Sequence, residues 1–197
     1  MKVIGFSGYS GAGKTTLVES LIGRLAMAGQ RVSVVKHAHH DFDIDQPGKD
    51  SWRHRQAGAF EVVIASNRRL AKIREFAVEV QPTVHQLLAE LIDCDWALVE
   101  GFKHADLLKI EVWRAELGKP VQYPEDPFVV ALATDSAQRL PQATALPILD
   151  LNAPDAVADF LLHNAARYEY TAPEDWLADA DAGRGAGAAA PGHPAAR

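Results

Sequence analysis

The chain has 197 residues, 48% of them apolar, which suffices for one substantial hydrophobic core of ordinary globular type. A formal net charge of −6 and a pI near 5.7 supply no basic field for nucleic acid or an anionic membrane. No apolar run approaches membrane-spanning length, the start does not read as a signal peptide, and the lone cysteine, Cys94, fits a reducing cytoplasm.

Residues 2–7, Lys-Val-Ile-Gly-Phe-Ser, predict a short buried strand. Gly8-Tyr9-Ser10-Gly11-Ala12-Gly13-Lys14-Thr15-Thr16 follows and fits G-x-x-x-x-G-K-[ST] with nothing missing. Leu17, Val18, Leu21, Ile22 and Leu25 then form the apolar stripe of an amphipathic helix that ends near Ala28, with Gly29 behind it. A strand before the motif and a helix after it predict a phosphate-binding loop. Gly8, Gly11 and Gly13 let the backbone bend into a nest of N–H donors aimed at phosphate oxygens. Lys14 is expected to reach the β- and γ-phosphates, and the Thr15 hydroxyl to hold Mg²⁺.

Residues 31–36 predict a second buried strand. Residues 36–51 come next, with three His, four Asp and two Lys in sixteen positions. They leave the carboxyl end of that strand, where ligands bind in open α/β sheets. His37, His39 and His40 have no Cys nearby, so a closed structural zinc site is disfavoured. Asp41, Asp43, Asp45 and Asp50 suit a hard cation better. A plain solvated loop is the bland alternative for the whole stretch.

A short helix over 50–57, a strand over 60–65 and an alternating, half-exposed strand over 69–74 follow. Pro82-Thr83 opens a helix with Val84, Leu87, Leu88, Leu91 and Ile92 on one face. Residues 95–101 predict a buried strand ending in Glu100 and Gly101, and a carboxylate there can serve Mg²⁺ or its water shell. Residues 108–113 alternate charge and apolar side chain, and they too read as an edge strand. Residues 114–127 hold Gly118, Pro120, Pro124 and Pro127 and predict a loop. A buried strand over 128–133 leads to Asp135, read either as an acceptor for guanine N1 and N2 or as a loop aspartate. A short strand over 147–150 and a helix capped by Asn152 complete the pattern. The architecture expected is α/β, a mostly parallel sheet flanked by helices with some antiparallel edge strands, over residues 1–170. Residues 171–197, rich in Ala, Gly and Pro, are expected to be a disordered tail.

The phosphate-loop sequence, the stretch from Lys36 to Ser51 and Val99-Glu100-Gly101-Phe102-Lys103 together resemble the molybdopterin-guanine dinucleotide biosynthesis adaptor family of the MobB type. The resemblance covers about residues 2–165, and the middle stretch carries its specificity. It implies a P-loop GTP-binding protein with slow hydrolysis, a homodimer that assists the guanylyltransferase joining GMP to molybdopterin, with molybdopterin or its carrier enzymes as further partners. Carried onto this chain, Gly11 to Thr16 would hold the triphosphate and Glu100 would serve Mg²⁺. The reading of the residues themselves makes Gly8, Ser10, Gly11, Ala12, Gly13, Lys14, Thr15, Thr16 and, as the open alternative, Asp135 the candidate nucleotide site. It adds Thr15 and Asp41 as candidate Mg²⁺ ligands, and takes Lys14, Asp41 and Asp43 as candidates to act in hydrolysis. Lys36, His37, His39, His40, Lys49, Asp50 and Ser51 would belong to a switch-like loop. A small-molecule kinase and a metal-insertion NTPase are the rival readings of the same phosphate loop. The two alternating strands, taken as exposed edges, add a physical motive for a dimer.

Overall fold

The computed structural model describes residues 1–38 and 42–173. Two compact units make up the chain: Met1–His37 with the segment from Thr83 onward, and Ala38–Pro82. The first unit holds β1 (Lys2–Ser7), α1 (Lys14–Met27), β2 (Val32–Lys36), α3 (Val84–Leu88), β5 (Trp96–Glu100), β6 (Lys109–Trp113), β7 (Val129–Thr134), β8 (Ile148–Asp150) and α4 (Pro154–His163). The second holds α2 (Asp50–Gln56), β3 (Glu61–Ala65) and β4 (Leu70–Arg74).

In the first unit six parallel strands run in the order β2-β5-β1-β6-β7-β8. Alternation along each strand sends side chains to two layers. Ile4, Phe6, Trp96, Leu98, Ile110 and Val112 pack with Leu17, Leu21 and Leu25 of α1 and Val157 and Leu161 of α4. Val3, Val35, Ala97 and Val99 pack on the other face with Val84 and Leu88 of α3. Both faces of the sheet are thus covered, which is why β1, β5 and β7 read as continuous apolar runs. The expected antiparallel pairing occurs in a separate hairpin, β3 with β4, where the Glu61 carboxylate accepts from Arg74 Nε at 2.9 Å across the ladder.

Four local expectations differ from the structure. The strand over 31–36 is not buried as a whole: β2 lies at the edge of the sheet, beside β5 alone, and of its five residues only Val35 is buried. The strand over 108–113 is not an edge: β6 lies between β1 and β7, and all five of its residues are buried. Its charges are satisfied internally instead of by water. Lys109 Nζ donates to the carbonyls of Lys103 (2.9 Å) and Ala105 (2.7 Å) and to Asp126 Oδ2 (2.9 Å). Glu111 accepts from the backbone N–H groups of Gln122 (2.8 Å) and Tyr123 (2.9 Å). Burial pushes the Glu111 carboxyl above its ordinary range, against the pull of those two donors.

The helix opened by Thr83 is shorter than its apolar stripe. Thr83 accepts from Gln86 N–H, and Gln86 Oε1 accepts from Thr83 N–H in return, a complete capping box. After Leu88 the bonds shorten to i→i+3, Asp93 turns left-handed at φ 55°, and Ile92 is 86% exposed. The chain must reverse there to enter β5, whose first residue is only eight positions past Leu88. Asn152 is not a cap either. Pro154 occupies the first turn of α4, with its fixed φ and absent N–H suited to a helix start, so the N-cap falls on Ala153. The tail beyond Pro173 lies outside the described residues.

Lys109 is 2% exposed and bonded three times, so Lys109→Ala takes the ammonium donor from Asp126 Oδ2 and from two carbonyls. The expected loss of stability is about 3–5 kcal/mol, the usual cost of removing one member of a buried pair. Urea unfolding of the variant measures it, and a loss under about 1 kcal/mol would show that water replaces the ammonium there.

Candidate functional site

β1 ends at Ser7, and the chain turns over its neighbour β6 before α1 begins. Gly8 makes the turn at φ 130°, and a Cβ built there would stand 2.2 Å from the Val112 carbonyl oxygen. No side chain fits. Gly13 serves as the N-cap of α1 in a left-handed conformation, without a side-chain cap, so the first N–H groups of the helix stay open toward the loop. Ala12 is buried, whereas Ser10, Gly11, Thr15 and Thr16 lie at the surface.

Lys14 Nζ donates to the Gly8 carbonyl at 2.7 Å and the Tyr9 carbonyl at 3.0 Å. Partial burial lowers its pKa below the ordinary value; nearby Glu100 opposes that shift and Lys36 adds to it. The Thr15 hydroxyl donates to Glu100 Oε1 at 2.6 Å, although the two residues are 85 positions apart. Glu100 is 7% exposed and ends β5, which pairs with β1 on one side and β2 on the other. Lys36 ends β2 in register with it and places Nζ 3.7 Å from Glu100 Oε2. Parallel register therefore gathers a threonine hydroxyl, a carboxylate and two ammonium groups at one end of three adjacent strands. The hydroxyl–carboxylate pair offers hard oxygen donors of the kind a small divalent cation prefers, and the lysines suit phosphate.

Gly101 follows at φ 100°, and a Cβ there would meet His37 Cβ at 3.0 Å. His37 N–H donates to the Glu100 carbonyl at 3.0 Å, and its ring meets Phe102 edge-on at 5.1 Å. So Lys36 and His37 of the switch-like stretch stand beside Glu100. His39, His40 and Asp41 lie outside the described residues. Asp43, Lys49, Asp50 and Ser51 belong to the second unit. There Arg55 Nη1 donates to Asp43 at 3.0 Å and to Asp45 at 3.2 Å, and it holds the Asp43 carboxyl below its ordinary pKa. Ser51 Oγ donates to Asp45 Oδ1 at 2.8 Å; Lys49 is the exposed N-cap of α2, and Asp50 faces Arg53 at 3.7 Å.

Asp135 sits just past β7. Its Oδ2 accepts from Arg114 Nη1 and its Oδ1 from the Ser136 hydroxyl at 2.7 Å. Arg114 is the residue that the sequence did not disclose. It follows β6 directly, and its Nε donates to the Ala12 carbonyl of the phosphate loop at 3.1 Å. Only the position of β6 between β1 and β7 brings these groups together, and an alternating strand followed by prolines gave no sign of that.

Comparison with known proteins shows the family. The family model described as molybdopterin guanine dinucleotide synthesis protein B matches residues 3–135. The chain is 40% identical over 163 residues to the molybdopterin-guanine dinucleotide biosynthesis adapter protein of Haemophilus influenzae, covering 81% of this chain and 86% of that protein. It is 39% identical over 164 residues to the protein of the same name from Escherichia coli, covering 81% and 91%. A crystal structure of molybdopterin-guanine biosynthesis protein B superposes with a TM-score of 0.63 at 29% identity, over 82% of this chain and 97% of that one.

The Gly8 contact gives a direct test of the loop's footing. Gly8→Ala must push the loop off β6 in a backbone region unfavourable to alanine, with an expected loss of at least about 2 kcal/mol. Denaturant midpoints of the two proteins measure it; equal midpoints would mean that the loop relaxes freely.

Proposed function

The chain belongs to the MobB family of molybdopterin-guanine dinucleotide synthesis proteins, and on that premise we propose that it is a GTP-binding adaptor with slow GTP hydrolysis that assists the guanylyltransferase of this pathway. The observation that carries the reading is the 2.6 Å bond between Thr15 Oγ1 and Glu100 Oε1 beneath a complete phosphate loop. In nucleotide hydrolysis by such loops, a hydroxyl just after the lysine and a carboxylate at the end of a neighbouring strand hold Mg²⁺. The residues present fit the ion: both donors are oxygens, on rigid elements, already within reach of each other. Mg²⁺ there would neutralise charge on the β- and γ-phosphate oxygens.

The chain's own groups do the rest. N–H groups of the loop over 8–13 and the open start of α1 receive the phosphates. Lys14 exchanges the Gly8 and Tyr9 carbonyls for phosphate oxygens. Lys36, beside Glu100, adds a second cation at the γ-phosphate end. Such a site orders and neutralises a triphosphate. Partners in this reading are the guanylyltransferase and molybdopterin or its carrier enzymes, in the cytoplasm; among the described residues no helix is long and apolar enough to cross a membrane.

A homodimer fits the second unit. The β3–β4 hairpin leaves Val63 56%, Ile64 42% and Leu70 68% exposed, on a sheet that has two strands, each with one edge unpaired, among the described residues. Pairing with a second copy would cover both liabilities. Light scattering at micromolar concentration is expected to give twice the chain mass; a monomer mass would count against the dimer.

The binding test is Lys14→Ala in purified protein. The side chain has no part in the hydrophobic core, so the melting temperature should hold while GTP affinity falls about 10- to 100-fold, the worth of one or two charge-assisted bonds. Glu100→Gln should lower single-turnover hydrolysis more than affinity, because charge on the transferring group grows in the transition state. Unchanged GTP binding by folded Lys14→Ala would sink the reading. Nucleotide loss that depends on an added acceptor would favour a kinase instead.

A further inference from the structure

The segment after β6 backs the phosphate loop at three places. Leu117 Cδ2 lies 3.6 Å from where a Cβ of Gly11 would be, Lys119 Nζ sits 5.9 Å from the Tyr9 ring centroid, and Arg114 lies against Gly13, with Nη2 3.5 Å from that residue's would-be Cβ. Arg114 alone adds directional bonds. Its fork joins the Ala12 carbonyl on one side to the Asp135 carboxylate on the other. Ala12 is buried, and the two partners come from loops after different strands, β1 and β7, that flank β6.

Asp135 is committed as well. One carboxylate oxygen takes Arg114 and the other takes Ser136, and the side chain is 17% exposed. A carboxylate that reads guanine must offer both oxygens to the N1–H and N2–H donors of the base edge. Offering them here would strip Arg114 of its anchor and leave a guanidinium half-held beside the loop, at the cost of breaking a charge-assisted bond.

We propose that Arg114 is a positioning residue that fixes the phosphate loop through the Ala12 carbonyl, and that Asp135 acts on nucleotide binding by holding Arg114 and not by contacting the base. The inference deepens the nucleotide-binding reading above and rests on it for the affinity part alone, because the tether exists in the free protein. Arginine suits the task where lysine would not: one planar fork must satisfy two acceptors in fixed directions.

The experiment has two arms on the full chain. In the first, amide hydrogen exchange is followed over residues 8–14 of nucleotide-free wild type, Arg114→Gln, Arg114→Lys, Asp135→Asn and the Arg114→Gln/Asp135→Asn double variant. In the second, affinities of the same proteins for GTP, ITP and XTP are measured; these share the triphosphate and differ only at the base edge. The tether predicts faster loop exchange in all three single variants, with exchange elsewhere in the sheet unchanged. It also predicts affinity losses of about tenfold that are equal for the three nucleotides, and a double variant no worse than either single. Arg114→Lys should fail to rescue. If Asp135→Asn instead moves preference from GTP to XTP with loop exchange unaltered, Asp135 reads the base and the proposal is overturned. Unchanged loop exchange in Arg114→Gln overturns it too. Should wild type bind none of the three nucleotides, the nucleotide reading falls, and the exchange arm alone still decides for or against the tether.

Discussion

Everything at the phosphate end depends on how closely the backbone of Gly8 lies over β6. The would-be Cβ of Gly8 falls 2.2 Å from the Val112 carbonyl oxygen, so the loop rests on a peptide plane with no side chain between. A contact of that kind works only if the plane beneath it does not shift. β6 is held by its own charges at its first residue and at its middle. Lys109 clamps the segment around residues 103–105 and Asp126, and Glu111 clamps the backbone at 122–123. Two buried charges are costly to desolvate, and here each is matched by directional partners, the condition under which such burial is tolerated. The reward is a central strand with no slack under the phosphate loop.

The same strand shows where sequence reasoning stops. β1, β5 and β7 were legible because burial on both faces of a parallel sheet leaves a continuous apolar run, whereas β2 carries a similar run at the sheet's edge with only Val35 buried. The candidate phosphate loop was legible because its pattern is local, nine residues that run from the end of a strand into the first turn of a helix. Lys109 and Glu111 break the apolar run of β6, and the partners that make their burial possible come from loops up to 17 positions away. Alternation of charge and apolar side chain then looks the same as a half-exposed edge. Ile92 and Asn152 failed for a smaller reason: each lies where chain reversal or a proline overrides the local preference.

Within the candidate site the division is similar. Thr15 and Glu100 were both readable, since each occupies a position defined by its own element, and strand register then carried them together across 85 residues. Arg114 was not readable, since nothing in Trp-Arg-Ala announces a function. Its role exists only once the order β1-β6-β7 sets Ala12 and Asp135 on either side of it. Charged residues at the carboxyl ends of strands are candidates for this reason in any parallel sheet, but choosing among them requires the strand order.

Lys14 ties its ammonium to the Gly8 and Tyr9 carbonyls, so the loop itself supplies ligands to its own lysine. Under the proposed nucleotide reading, phosphate arriving there would enter an exchange of partners, in which two hydrogen bonds are given up as new ones form. A measured affinity would then be a difference between two occupied states of the same ammonium, and it would understate the strength of the lysine–phosphate contact itself. The compensation would be preorganisation: the lysine is already folded back along the rim of the loop, so little side-chain entropy would remain to be lost if a triphosphate replaced the carbonyls.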